Sequence, residues 1–214
     1  MGDDRMERTI VWDWNGTLFN DVSLCIESIN HLLRAQNLPI FQNKEAYQRV
    51  FCFPIIRYYT LAGFDFHKRS FEQLADDYME YYQPRSYDCT LYENAISTLE
   101  HFQKKGYRQI LLSASKQDFL TKQMKCFSID QYFETVLALD NIHAFSKQDI
   151  ALRYFQNHPH SNVTLIGDSV HDYEVAQSLH ADCILISEGH EHVSKLKQTP
   201  AVVIDTMEKL KNVL

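Results

Sequence analysis

No block of basic residues runs through this 214-residue chain, and its formal net charge is −7. A polyanionic backbone such as nucleic acid is therefore not an expected partner. A small phosphorylated molecule is not excluded, because one bound cation reverses the field inside a pocket. No apolar run approaches the roughly 20 residues that cross a bilayer, so no membrane partner is expected. Residues 1–7 are charged and lack the apolar stretch of a secretory signal. No Cys-x-x-Cys occurs. Cys25, Cys52, Cys89, Cys126 and Cys183 are odd in number and scattered. They predict reduced, mostly packed thiols in a cytoplasmic protein. Repeats and low-complexity segments are also absent.

What remains is an ordinary globular composition, 45% hydrophobic and 23% charged. The length suits one large domain, or one domain with an insertion, able to bury roughly 70% of its unfolded surface. Short apolar runs at 9–12, 109–112, 135–139, 163–166, 183–186 and 201–204 end where polar residues begin. Helical patterns separate most of them, and Gly106 fits a helix stop before the second run. Strands alternating with helices predict an α/β fold with a doubly wound, mostly parallel sheet.

Residues 20–90 break that alternation. Val22, Cys25, Ile26, Ile29, Leu32 and Leu33 recur at helical spacing, with Asp21 placed to cap the helix N-terminus. Phe71, Leu74, Ala75, Tyr78, Met79 and Tyr82 repeat the pattern. No convincing strand lies between. The expectation is a helical subdomain inserted after the first strand, with its tyrosines and phenylalanines serving mainly as core.

Four segments carry chemistry. The first is Asp13-Trp14-Asn15-Gly16-Thr17-Leu18, directly after a buried strand. A carboxylate there, on a glycine-containing loop, suits a nucleophile or a metal ligand at a sheet edge. The second is Gly167-Asp168-Ser169-Val170-His171-Asp172. If Asp172 opens a helix, it and Asp168 face one cavity and supply hard oxygens for Mg²⁺. The same residues also suit helix capping by Asp168 or Ser169. The third is Ser113-Ala114-Ser115 after Leu112, where a hydroxyl and backbone N–H groups suit a phosphate oxygen or a helix cap. The fourth is Ser146-Lys147 ahead of a helical pattern, where the lysine either balances carboxylates or lies in solvent.

In their order and spacing these segments resemble the haloacid dehalogenase (HAD) superfamily of hydrolases. The resemblance spans the chain and looks like the subgroup containing phosphoglycolate phosphatase and β-phosphoglucomutase. It implies a Rossmann-like core at 1–19 and 91–214 and an α-helical cap at 20–90. It implies Asp13 as nucleophile, forming an aspartyl-phosphate. It implies Mg²⁺ held by Asp13, the backbone carbonyl of Asn15, and Asp168, with Asp172 close by. Ser113 and the N–H of Ala114 would bind the phosphoryl group, and Lys147 would neutralise its charge. The expected substrate is a small phosphorylated metabolite, cleaved as a phosphate monoester.

Asn15 departs from the family pattern, which places there an Asp that protonates the leaving oxygen and then activates water. An amide does neither, and general acid/base catalysis is worth about 10²–10⁴ in rate. Four readings follow. One is a slow phosphatase, best with acyl or aryl phosphates. Another is an efficient enzyme with a proton from a cap residue such as His67, or from water. A third is a phospho-ligand binding or regulatory protein with weakened turnover. The last is different chemistry on the scaffold, such as a phosphonatase using Lys44 or Lys68. Asn15-Gly16 is also a pair prone to deamidation when unstrained. Among lesser candidates, His158, His160, His190 and His192 read as exposed loop histidines, with a rim role open for the last two. Arg57 reads as a surface ion-pair residue or an anion contact.

Overall fold

The computed structural model describes residues 8–139 and 146–214, so the reading of residues 1–7 lies outside the described residues. The first strand, β1 (Thr9–Asp13), is buried along its whole length. Its apolar residues face both sides of the sheet, as a central parallel strand covered on both faces requires. After it the chain leaves the sheet through β2 (Phe19–Asn20), which pairs antiparallel only with β3 (Thr90–Leu91). Between them lie α1 (Val22–Ala35), α2 (Lys44–Val50), α3 (Ile55–Ala62) and α4 (Phe71–Ser86). The helices occupy the segment whose apolar spacing predicted them. The two-residue strands at its ends are too short to give a period-two signal.

The chain returns through α5 (Ala95–Lys104) to β4 (Arg108–Lys116), α6 (Gln117–Lys125) and β5 (Thr135–Leu139). Then follow α7 (Lys147–Asn157), β6 (Val163–Gly167), α8 (Val170–Ser178), β7 (Asp182–Ile186) and β8 (Val202–Ile204). Six strands form one parallel sheet in the order β5-β4-β1-β6-β7-β8. All six predicted strands are present. β4 runs four residues further than its apolar run, with a register shift against β5 between Leu112 and Lys116. The polar Ser113-Ala114-Ser115 stretch hid that extension.

Alternate residues of β1 feed different cores. Ile10 and Trp12 pack with Leu99, Phe102 and Leu111 on one face, and Val11 packs with Ile110, Ala151 and Val175 on the other. The helices between β2 and β3 build their own apolar cluster around Ile29, Leu33, Tyr47, Tyr58 and Leu74. The aromatic residues there do serve as core, as expected. No helix among the described residues is long and apolar enough to cross a membrane. The five cysteines are free thiols; Cys25 and Cys183 are buried and Cys126 is exposed.

β1 sits where the strand order reverses, with β4 on one side and β6 on the other. Open α/β sheets bind ligands at the carboxyl ends of strands flanking such a reversal. Asp13, the last residue of β1, lies there.

Candidate active site

The loop after β1 is fixed before any ligand arrives. Trp14 donates through its indole to Gln123 Oε1 at 2.8 Å and stacks on Phe19. Gly16 has φ 76°, a left-handed conformation that favours glycine. A Cβ there would also collide with Asp168 and His190, and one on Gly189 would collide with Asp168. The two glycines therefore let the loops after β1 and β7 close on Asp168.

Two capping boxes aim the charged groups. Ser146 caps α7 with Asp149 as its return partner, which puts Lys147 in the first turn. Ser169 caps α8 with Asp172 in the same way. Asp172 Oδ2 accepts from the Ser169 hydroxyl at 2.6 Å and from the Asp168 N–H at 3.1 Å, while Oδ1 accepts from Lys147 at 2.6 Å. Ser169 capping and an inward-facing Asp172 are thus both realised. Asp168 does not cap; it accepts from the His190 N–H and the Thr17 hydroxyl. Lys147 also donates to Asp13. Lys147 is buried, so it is no solvated surface lysine.

Asp13, Asp168 and Asp172 each bring an oxygen within 4.8 Å of the others, and all three are buried. Lys147 pairs with two of these carboxylates, Asp13 and Asp172, while Asp168 is left to the charge of His190. Burial lifts Asp13 to about 6 despite the lowering pull of Lys147. Burial pushes Asp168 well above the usual carboxylate range, with Asp13 and Asp172 adding to the effect of burial. For Asp172 the Lys147 ammonium outweighs burial and holds the carboxyl low. A buried all-oxygen set with excess negative charge fits a hard divalent cation.

Asn15 is not a passive replacement. Its Nδ2 donates to Asp21 Oδ2 at 2.8 Å and to the Tyr82 hydroxyl at 3.1 Å, and its Oδ1 accepts from the Ser115 hydroxyl at 3.1 Å. Asp21 precedes α1, but its side chain makes no capping bond, which corrects the expectation. The carboxylate turns inward because stronger donors await it: Tyr82 at 2.6 Å, the Gly16 N–H at 3.2 Å, and the Asn15 amide.

His190 corrects the reading of an exposed loop histidine. It is buried, with Nε2 3.2 Å from Asp21 Oδ1 and Nδ1 2.9 Å from the Tyr47 hydroxyl. Burial works against its charge, yet the Asp21 carboxylate prevails and lifts it to about 9. Removing one member of a buried ion pair typically costs about 3–5 kcal/mol. His190→Ala is accordingly expected to destabilise the fold by about that amount, read by urea unfolding. A loss near that of an exposed site would show that Asp21 finds compensation elsewhere.

The other histidines stay apart from the site. His67 is exposed and lies off the cavity wall; His192 caps the short helix Val193–Leu196. His158 is exposed beyond the end of α7, whereas the side chain of His160 is buried beside Tyr154 and Phe155, which corrects its reading as an exposed loop histidine. Arg57 is exposed on α3. Lys44 donates to the Glu188 carbonyl, and Lys68 is exposed beside Asp65. Among the described residues none of these three cations lines the cavity.

That cavity has a volume of about 510 Å³ and brings together Asp13, Asn15, Ala114, Lys147, Asp168 and Asp172. Ser113 lies just behind the wall, buried, with its Oγ accepting from the Ser115 N–H at 3.1 Å. Ser115 itself lines the cavity. Sequence reasoning missed Ser115, Asp21, Tyr82 and His190 as a group. The signal available was the length of the link: Asp21 stands six residues from Asn15, and His190 follows the strand next to Asp168.

Deamidation of Asn15 requires the Gly16 nitrogen to reach the Asn15 side chain. That N–H is held by the Phe19 carbonyl at 2.9 Å and by Asp21. Peptide mass mapping of aged protein is therefore expected to show no one-dalton gain at Asn15; a gain would mean the loop opens.

Residues 10–186 match the family model described as Haloacid dehalogenase-like hydrolase. The chain is similar to the pyrophosphatase PpaX of Bacillus pumilus, 24% identical over 77% of this chain and 76% of that one. It is similar to PpaX of Listeria welshimeri, 24% identical over 94% of each. Its fold is similar to that of a haloacid dehalogenase-like family hydrolase from Streptococcus pneumoniae, with TM-score 0.79, 19% identity, and 97% and 99% of the two chains covered.

Proposed function

Because the chain belongs to the haloacid dehalogenase-like hydrolase family, we propose that it hydrolyses a small-molecule phosphate monoester in a Mg²⁺-dependent reaction through an aspartyl-phosphate on Asp13. The observation that carries this reading is the placement of Asp13: at the strand reversal, on the cavity wall, bound by Lys147 and beside Asp168 and Asp172. Asp13 would attack phosphorus while the leaving oxygen departs on the opposite side. Lys147 would neutralise charge on the transferring group and hold the nucleophile's orientation. The Ala114 N–H and the Ser113 hydroxyl, whose hydrogen is not used by Ser115, would bind phosphoryl oxygens. Water would then cleave the aspartyl-phosphate at phosphorus and regenerate Asp13.

Asp13, Asp168, Asp172 and the backbone carbonyl of Asn15 would hold Mg²⁺. The ion would screen repulsion between two anions, the nucleophile and the substrate. In this reading residues 20–90 form a cap over a core at 1–19 and 91–214, shielding the reaction from water. The substrate would be a soluble metabolite of the cytoplasm. The test is phosphate release from a panel of phosphates with and without Mg²⁺. Turnover that persists under strict chelation would remove the metal from the reading.

Stability offers an independent check. Lys147 pairs with Asp13 and Asp172, whereas no lysine or arginine among the described residues pairs with Asp168, which has only the charge of His190, itself engaged by Asp21. Asp168→Asn is expected to raise the melting temperature of the metal-free protein by a few degrees, the response to about 1 kcal/mol. It should also abolish the further rise that Mg²⁺ gives the unaltered protein. A variant that melts lower without metal would mean that Asp168 is already compensated.

A second reading, a phospho-ligand binding protein with weakened turnover, is favoured by the engagement of the Asn15 amide with Asp21, Tyr82 and Ser115. Metal-dependent turnover that disappears in Asp13→Asn separates the two.

A further inference from the structure

We infer that the leaving group is an aromatic alcohol, so that the substrate class is the phosphate monoester of an uncharged aryl group rather than a diphosphate, a phosphorylated carboxylate or a sugar phosphate. The inference rests on the phosphatase reading above. It is carried by the half of the cavity that faces the helices, and independently by Asn15.

The rings of Phe51, Phe53, Tyr59, Tyr78, Tyr82 and Phe119 line that half. Aromatic walls reward a flat apolar group through buried area and through ring-to-ring contacts. At about 510 Å³, the cavity takes a phosphoryl group together with one or two fused rings.

Charge argues in the same direction. Besides Lys147, the only lysine or arginine on the wall among the described residues is Lys116, while Asp21 and Asp76 share the same wall. The charge of His190 is matched by Asp21, and His171 stacks on Phe53 beside Glu174. A second phosphate or a carboxylate on the leaving group would meet acidic side chains and find little cationic support. A sugar needs several free hydrogen-bonding groups. Here the Tyr82 hydroxyl is committed to Asp21 and the Tyr47 hydroxyl to His190, and besides the tyrosines the side chains left to hold a sugar are Asp76, Gln83 and Lys116, fewer than its several hydroxyls need. Tyr58 alone among the cavity tyrosines has a buried hydroxyl with no partner among the described residues, which leaves room for one polar substituent on the ring.

Asn15 supplies the chemical argument. Its amide is hydrogen-bonded at both ends and offers no proton to a departing oxygen. A phenol ionises near pH 10, as tyrosine does, so a phenoxide leaves without protonation far more readily than an alkoxide. A bond forms from an Asp13 oxygen to phosphorus, and the phosphorus–aryl-oxygen bond breaks. The aryloxide takes the electron pair and later a proton from water. A water molecule then adds to phosphorus, breaks its bond to Asp13 and gives up a proton to solvent, yielding inorganic phosphate.

The experiment measures kcat/KM in Mg²⁺ for 2-naphthyl phosphate, acetyl phosphate, pyrophosphate, phosphoglycolate and glucose 6-phosphate, with the unaltered protein and with Ala75→Trp. Ala75 lines the cavity from α4, where a larger side chain narrows the ring-binding half. Naphthyl phosphate is expected to exceed pyrophosphate, phosphoglycolate and glucose 6-phosphate by at least about 100-fold, the factor that burying an aromatic group supplies. The ratio of naphthyl to acetyl phosphate should fall at least about tenfold in Ala75→Trp. Acetyl phosphate carries an easily expelled leaving group without a ring, so it tests the chemistry alone. Turnover of acetyl phosphate with naphthyl phosphate no better than pyrophosphate, phosphoglycolate or glucose 6-phosphate, or a ratio unmoved by Ala75→Trp, overturns the inference and leaves the phosphatase reading standing. No turnover of any of the five overturns both.

Discussion

Exchanging the amide and the carboxylate, Asn15→Asp together with Asp21→Asn, is expected to raise steady-state turnover by about 10²–10⁴, the usual worth of a general acid/base. The exchange is needed because of a single distance. Asn15 Nδ2 lies 2.8 Å from Asp21 Oδ2. Asn15→Asp alone would set two carboxylates at that separation in a buried site, and one of them would keep its proton. The single variant is therefore expected to be destabilised, with its gain in rate held to a narrow range of pH. The double variant keeps the amide–carboxylate bond with its direction reversed and keeps one carboxylate beside Tyr82, but it gives up the ion pair between Asp21 and His190, so it is expected to melt below the parent. Alkyl phosphates should gain more than aryl phosphates, since their leaving oxygens need the proton more. Comparison of kcat for both classes, with melting temperatures alongside, tests this. A double variant that remains folded at the assay temperature and gains nothing would show that another group already moves the proton.

Asp13→Asn is expected to lower phosphate release by about 10⁴-fold or more with every substrate, because an amide oxygen does not form the covalent intermediate. The unaltered protein should behave in a way the variant cannot. Asn15 neither protonates a leaving oxygen nor activates water, and an aryl phosphate bypasses only the first defect. The aspartyl-phosphate should accumulate, so rapid mixing should show a burst of phenol approaching one equivalent per chain, followed by slow turnover. In Asp13→Asn the burst should vanish while the fold persists, since Lys147 keeps Asp172 as its buried partner. A burst that survives in Asp13→Asn would move the nucleophile elsewhere.

The sheet and its catalytic-looking edge were legible because they are written locally. Each buried strand is a short apolar run, and Asp13, Lys147, Asp168 and Asp172 stand at strand or helix ends, where backbone geometry alone decides which way they point. The surroundings of Asn15 were not legible. Asp21, Tyr82, Ser115 and His190 come from four separate segments, and each has an ordinary local explanation as a helix cap, a core ring, a loop hydroxyl or a surface histidine. Only their meeting makes them a network. Histidine was the most misleading: its burial depends on Asp21 and Tyr47, which lie 169 and 143 residues away in sequence. Ser113 shows the reverse limit. Its position at the polar end of an apolar run suggested a strand terminus, yet the strand continues to Lys116.

The pairing of Phe19 with Leu91 and of Asn20 with Thr90 sets the departure and the return of the chain side by side. Everything between them is, from the sheet's standpoint, a loop whose two ends already touch. Lengthening, shortening or replacing it leaves all five parallel registers where they are, because none of them includes a residue from 21 to 89. Evolution could thus rewrite the aromatic half of the cavity, exchanging one clientele of molecules for another, without renegotiating the part of the fold that holds Asp13.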